Sequence, residues 1–447
     1  MTKDMTVGNP MKLILLFSLP VLLGNLFQQF YSMVDTIIVG QFLGEDALAS
    51  VGASGSIMFF VLGFAMGLAQ GFGVMVSQVF GAKDDKRLKH IVALSFMLTI
   101  IISIVLTAIT VIYSRNLLEF MNTPENILDR ANSYIVVIFW GIIASMFYNV
   151  LSGVLRGVGD SKTPLYFLLL SSGLNIVLDI FFIVALKLDV AGAAYATVIS
   201  QGFSAVLCLI YMYKKFPILR TKREDYYFDV KSTLQMMSLG IPMALNYSII
   251  AIGTMILQSA VNAFGSSAVA AFTAATKVEQ LSTQTMPALG TTMSTFCGQN
   301  LGAGKFKRIF DGMKRGVLIG IGIAVLASFL CVVMGRPIVS LFLSNPTEEM
   351  MSYATQYLNT ISCFFLFLSM IYLYRTSLQG LGRSIMPMIS GIFEMFCRIG
   401  VVWLLLKPYG YWSVRLASPV AWIGAGVPLM ITYIIWKKQM KKKYQIA

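Results

Sequence analysis

Charge is scarce in this chain of 447 residues: Asp, Glu, Lys and Arg together make up 12% of it, against about 25% in a soluble domain. Hydrophobic residues make up 57%, and apolar runs longer than about 18 residues recur along the whole length, which excludes a soluble fold and reads as membrane-spanning helices. Histidine occurs once, at His90 beside Lys89, where a position at the membrane interface is expected. No histidine-based metal site or catalytic triad can therefore be assembled. The five cysteines, Cys208, Cys297, Cys331, Cys363 and Cys397, all fall in apolar runs and have no metal-ligand spacing. Their odd number excludes a complete disulfide framework, so buried free thiols are expected. A phosphate-cradling GxxxxGK[ST] loop is missing, as is any segment with the composition of a nucleotide-binding domain. No protease motif is present either. The expectation is a protein that is not an enzyme and has no cofactor; if it pumps, an ion gradient drives it.

What is present is an all-α polytopic membrane protein. Twelve spans are expected, at 13–39, 48–79, 91–113, 131–155, 165–186, 190–213, 234–262, 268–298, 316–335, 353–379, 386–406 and 416–436. The longest charged loop follows the sixth, which divides the chain into an N-lobe over 1–213, a linker over 214–233 and a C-lobe over 234–447. The run after Lys12 continues through Pro20 to Asn25, Gln28 and Gln29 with no small-residue cleavage site, so it is expected to be the first span rather than a signal peptide. The net charge of +14 does not point to nucleic acid, because the Lys and Arg residues sit in short loops, where they set topology. With both termini cytoplasmic, 25 of them fall in inside segments and 6 outside. The partner of this surface is the lipid bilayer.

The two halves repeat. Ser18-Leu19-Pro20 resembles Gly240-Ile241-Pro242, and Gln78-Val79-Phe80-Gly81-Ala82 aligns with Gln299-Asn300-Leu301-Gly302-Ala303. Gly157-Val158-Gly159-Asp160-Ser161 aligns with Gly380-Leu381-Gly382-Arg383-Ser384. Nearly constant offsets across six spans mean a parallel duplication, whose copies are related by a pseudo-two-fold axis along the membrane normal.

Asp35 stands in an otherwise uncharged stretch from Leu13 to Leu43. A carboxylate inside the bilayer costs roughly 2.5–3.5 kcal/mol on insertion scales and by default marks a functional site. Asn25, Gln28, Gln29, Ser32, Asp35 and Thr36 fall within an arc of about 120° on a helix, a stripe that must face protein or water. A helix-packing seam is the other reading of its uncharged members. Asn175 and Asp179 share a helix face by their i, i+4 spacing. Two carboxylates and an amide oxygen suit a hard cation such as Na⁺; alternatively, burial favours the neutral carboxyl and so a proton. Pro20 permits a bend in the same span as Asp35. In the second half, Glu279, Gln280, Thr283 and Gln284 form a further polar stripe that suits a cationic substrate. Glu394 and Arg398 read as a structural ion pair in the favourable i, i+4 order. Gly63, Gly67 and Gly71 form a ridge for close helix packing.

At this point the chain resembles the multidrug and toxic compound extrusion (MATE) family. The resemblance covers twelve spans in two six-span lobes, the spacing of Pro20 and Asp35, and the paired Gln-x-x-Gly-Ala and Gly-x-Gly-Asp/Arg-Ser loops. It implies a cation site on Asp35, Asn175, Asp179 and Thr197, the last placed by family spacing alone. It also implies a V-shaped antiporter, a monomer in the bacterial inner membrane, exporting small organic compounds, mostly cationic or amphiphilic, in exchange for H⁺ or Na⁺ by alternating access. The acidic ligands that another branch of the family places in the C-lobe are not matched, since Glu279 and Glu394 are the only membrane carboxylates there. The alternative in the same superfamily is a flippase for a lipid-linked saccharide or another amphiphile, for which a strongly basic cavity is expected; Lys277, Arg375 and Arg398 are the intramembrane cations.

Overall fold

The computed structural model describes residues 4–343 and 347–446. They form helices joined by short turns, with no strand among them. A bilayer offers no hydrogen bonds to the backbone, so long apolar segments close their own as helices. The helices are α1 (Pro10–Leu43), α2 (Glu45–Gly81), α3 (Asp85–Ile112), α4 (Ser114–Phe120), α5 (Glu125–Trp140), α6 (Ile142–Gly157), α7 (Lys162–Ile180) and α8 (Asp189–Lys215), followed by α9 (Val230–Asn262), α10 (Ser266–Thr283), α11 (Thr285–Gly302), α12 (Phe306–Phe342), α13 (Glu348–Ser362), α14 (Phe365–Gly380), α15 (Ile385–Tyr409) and α16 (Trp412–Lys443).

Among the described residues, nine helices are long and apolar enough to cross a membrane, and two bent pairs bring the number to eleven. The pairs are α5 with α6, bent by 46°, and α13 with α14, bent by 54°. They occupy the fourth and tenth expected spans. The first break falls at Gly141, where a Cβ would lie 2.2 Å from Val198 of α8; no larger residue fits. The eighth expected span, α10 with α11, is less apolar because Lys277, Glu279 and Gln280 lie within it. The short helix α4 is an addition to the expected elements.

α12 shows how a span divides its faces. Ile309, Met313, Gly316, Gly320, Ala324, Ala327 and Cys331 are buried at helical spacing, while Leu318, Val325, Phe329 and Val333 are exposed. Exposed apolar side chains on a spanning helix are lipid-facing.

The chain forms two compact units. One holds Leu23–Ser248; the other holds Met5–Leu22 and Ile249–Ala447. The division cuts through α1 and α9 rather than falling at the linker. α1 changes partners just after Pro20, and α9 six residues after Pro242; both helices run unbroken through their prolines.

In the first unit, α2 packs on α6 and α9 with backbones nearly touching. A Cβ at Gly67 would meet the Ala244 backbone at 2.5 Å, and one at Gly71 the Gly240 backbone at 2.4 Å. The small-residue ridge therefore meets a second pair of small residues four apart, as close packing in a membrane requires. His90, expected at the membrane interface, is in the same unit, in the second turn of α3. It is buried beneath the linker, stacked on Tyr227 with centroids 3.9 Å apart, and its Nδ1 is 3.0 Å from the Asp225 carbonyl.

The second unit repeats the pattern. A Cβ at Gly157 would come within 3.0 Å of the Gly73 carbonyl, and one at the equivalent Gly380 within 2.3 Å of Ser294. The turns after α6 and α14 place Gly159 and Gly382 at φ 89° and 76°, each closed by a bond from the following residue back across the turn (Asp160 to Leu155, Arg383 to Leu378). The thiols are all free, but Cys363 is exposed and Cys397 half-buried, which corrects the expectation that all five are buried.

Candidate functional site

The apolar spans of the first unit converge on a small polar centre. α1 contributes Asp35 and, one turn earlier, Tyr31. α7 contributes Asn175 and Asp179, α8 contributes Thr197, and α5 contributes Tyr134. Thr197 Oγ1 ties three of these together: it lies 3.2 Å from the Tyr31 hydroxyl and accepts from Asn175 Nδ2 at 3.3 Å. Asn175 and Asp179 are fully buried. Asp35 and Asp179 lie close enough for their carboxyls to act on each other, and both also act on Tyr31 and Tyr134. Directly after Asp179 the helix widens into a π-turn over Phe181–Ala185, with Leu186 N donating to Phe181 O at 3.0 Å. Such turns often accompany functional sites.

The centre is short of donors. Asp35 Oδ1, Asn175 Oδ1 and both Asp179 oxygens are buried and accept no hydrogen bond. A buried polar group without a partner is costly, and more so when charged. Two neighbouring carboxylates also repel. Both penalties vanish when a proton or a small cation is taken up. The oxygens of Asp35, Asn175 and Asp179, with the Thr197 hydroxyl beside them, are of the kind that Na⁺ accepts. A proton needs only one carboxyl.

The other expected residues are placed differently. Gln28 and Ser32 are exposed. In the second unit, Glu279 accepts from the Tyr357 hydroxyl at 2.9 Å. Gln280 is exposed, and Gln284 lies at the break between α10 and α11. Glu394 pairs with Arg398 at 3.3 Å and, more closely, with Arg375 at 2.7 Å. The expected pair is thus a buried triad. Sequence reasoning missed Tyr31, Tyr134, Tyr357 and the partnership of Arg375. Tyr31 alone carried a signal, its i, i+4 spacing to Asp35.

Comparison with known proteins gives a consistent result. The family model MatE matches residues 20–181 and again 242–404. The probable multidrug resistance protein YpnP of Bacillus subtilis (strain 168) is 30% identical, over 96% of this chain and 94% of that protein. The probable multidrug resistance protein YoeA of the same organism is 29% identical, over 95% of this chain and 94% of that protein. The crystal structure of MATE in complex with MaL6 superposes with a TM-score of 0.92 at 23% identity, covering 99% of this chain and 100% of that one. Its likeness establishes the fold.

Proposed function

Because the chain belongs to the MatE family of multi-pass membrane transporters, we propose that it exports small organic compounds across the cytoplasmic membrane in exchange for H⁺ or Na⁺. The coupling ion binds at Asp35, Asn175, Asp179 and Thr197. The observation that carries this reading is the set of four buried, unpartnered oxygens gathered from α1 and α7. The names of the relatives, both probable multidrug resistance proteins, support a broad range of organic compounds.

The mechanism follows from differential affinity. An ion on the carboxyl pair removes repulsion and supplies the missing partner, so it favours whichever arrangement of α1, α7 and α8 brings those oxygens together. A substrate that favours the other arrangement is released when the ion binds, which is all that coupling requires. One elementary charge crossing 100 mV gains roughly 2.3 kcal/mol, and each pH unit adds about 1.36 kcal/mol per proton. Either supports a tenfold substrate gradient or more. The excess of Lys and Arg in alternate loops supports a cytoplasmic position for both termini, and the ion site drawn from a single copy supports a monomer.

The test is efflux of a fluorescent organic cation from proteoliposomes under separately imposed Na⁺ and pH gradients. Movement under one gradient, abolished in Asp35→Asn, identifies the coupling ion. Folded protein that moves nothing under either gradient refutes the antiporter and turns attention to amphiphile flipping.

A further inference from the structure

The second unit buries a charge cluster that helix packing does not account for. Arg375 on α14 and Arg398 on α15 are 6% and 5% exposed, and Glu394 between them is 7% exposed. Arg375 Nη2 donates to Glu394 Oε2 at 2.7 Å, and Arg398 Nη2 donates to Oε1 at 3.3 Å. Both carboxylate oxygens are thereby taken. The Nε–H groups of both arginines are buried and donate to nothing. Glu279, the other carboxylate in the spans of this unit, is held by the Tyr357 hydroxyl, although Arg398 acts on it through space. On α9, Gly253 lies against Arg398, where even a Cβ would come within 2.7 Å of Nη1.

A triad present only for stability is a poor solution. Buried ion pairs are often replaceable by apolar side chains without loss, and a buried donor without a partner is costly. Two guanidinium forks with unused donors instead match an oxyanion, which takes parallel N–H bonds from a planar fork. We infer that Arg375, Glu394 and Arg398 form a recognition site for an anionic group on the transported compound, a carboxylate, sulfonate or phosphate. The substrate range then includes organic anions and zwitterions as well as cations. This rests on the export reading, and Glu394 serves to hold both forks in place and to keep affinity low enough for release.

The test uses two dyes with the same xanthene ring and opposite charge, fluorescein as the anion and rhodamine 123 as the cation. Their binding to purified full-length protein in detergent is followed by fluorescence anisotropy. Arg398→Gln and Arg375→Gln are each expected to weaken fluorescein tenfold or more and to change rhodamine 123 less than twofold, which also shows that the variants are folded. Arg398→Lys, with charge but no fork, is expected to lie between. Glu394→Gln frees both forks and is expected to tighten fluorescein. Fluorescein affinity unchanged in both glutamine variants, equal loss of both dyes, or no fluorescein binding to the unmodified protein would each overturn the inference. The expected binding pattern without gradient-driven flux of either dye in proteoliposomes would keep the anion site and refute the export reading.

Discussion

Asp179 is expected to bear on function more than on stability. Both of its oxygens are buried and accept nothing from a neighbouring donor, so Asp179→Asn keeps a group that can still hydrogen-bond Asp35 and spares the protein a second buried carboxyl beside it. The expected outcome is an unfolding midpoint in detergent at or above that of the parent, with gradient-driven flux reduced at least tenfold in proteoliposomes. A fall in both would make Asp179 a structural residue. Tyr31→Phe is milder, since it removes one neutral bond to Thr197, worth about 0.5–1.5 kcal/mol. Ion affinity, read from the gradient that half-saturates flux, should weaken by roughly two- to tenfold on that scale. The carboxylates were legible in the sequence because an ionisable side chain in an apolar run is conspicuous. Tyr134 was not, because a tyrosine in a membrane helix is common and its value depends on which way the helix turns. Arg375 was hidden for a similar reason: its bond to Glu394 spans two helices, and no spacing within one helix encodes it.

At the level of elements, glycines and caps decide how the spans meet. Gly71 has no room for a methyl group against the Gly240 backbone, whereas a Cβ at Gly52 on the same helix meets nothing within 4 Å. Gly71→Ala should lower thermal stability by about 1–3 kcal/mol through overpacking. Gly52→Ala should leave it unchanged or raise it by up to about 1 kcal/mol through helix propensity. Equal effects at the two sites would refute the close crossing of α2 and α9. Asp229 caps α9 from the aqueous side. The Ser232 hydroxyl (2.5 Å) and the backbone N–H groups of Ser232 and Lys231 donate to its carboxylate and hold it below the usual carboxylate range. A depressed folded value means that this cap contributes above the ordinary Asp value and is lost as pH falls through the folded value. Protection from hydrogen exchange in the first turn of α9, taken relative to the intrinsic rate at each pH, should therefore fall in acid in the parent and be low at all pH values in Asp229→Ala. The span pattern itself was legible, because apolar length is written directly in the sequence. The breaks at Gly141 and around Cys363 were not, since a bend of 46° or 54° depends on what the neighbouring helices leave room for.

For the molecule as a whole, duplication and charge make one linked claim. The family model matches twice, at 20–181 and 242–404, and the turns after Gly157 and Gly380 share the same left-handed glycine two residues on. An even number of spans in each copy puts these turns on one side of the membrane. Reading in sequence order could see this, but it could not see that α1 and α9 each divide between the compact units, because nothing in a continuous helix marks a change of partners. The proposed side rests on Lys and Arg, of which 25 fall in one set of segments and 6 in the other, and the proposed direction of export depends on it. Single cysteines in a background without the native five give the check. Glu125→Cys and Tyr409→Cys are exposed at one set of ends, and Arg223→Cys and Lys442→Cys at the other. A membrane-impermeant maleimide added to intact cells should label the first two, and should reach the last two only after permeabilisation. The opposite pattern would invert the protein, make the ion gradient drive uptake rather than export, and remove the charge asymmetry as a guide to its topology.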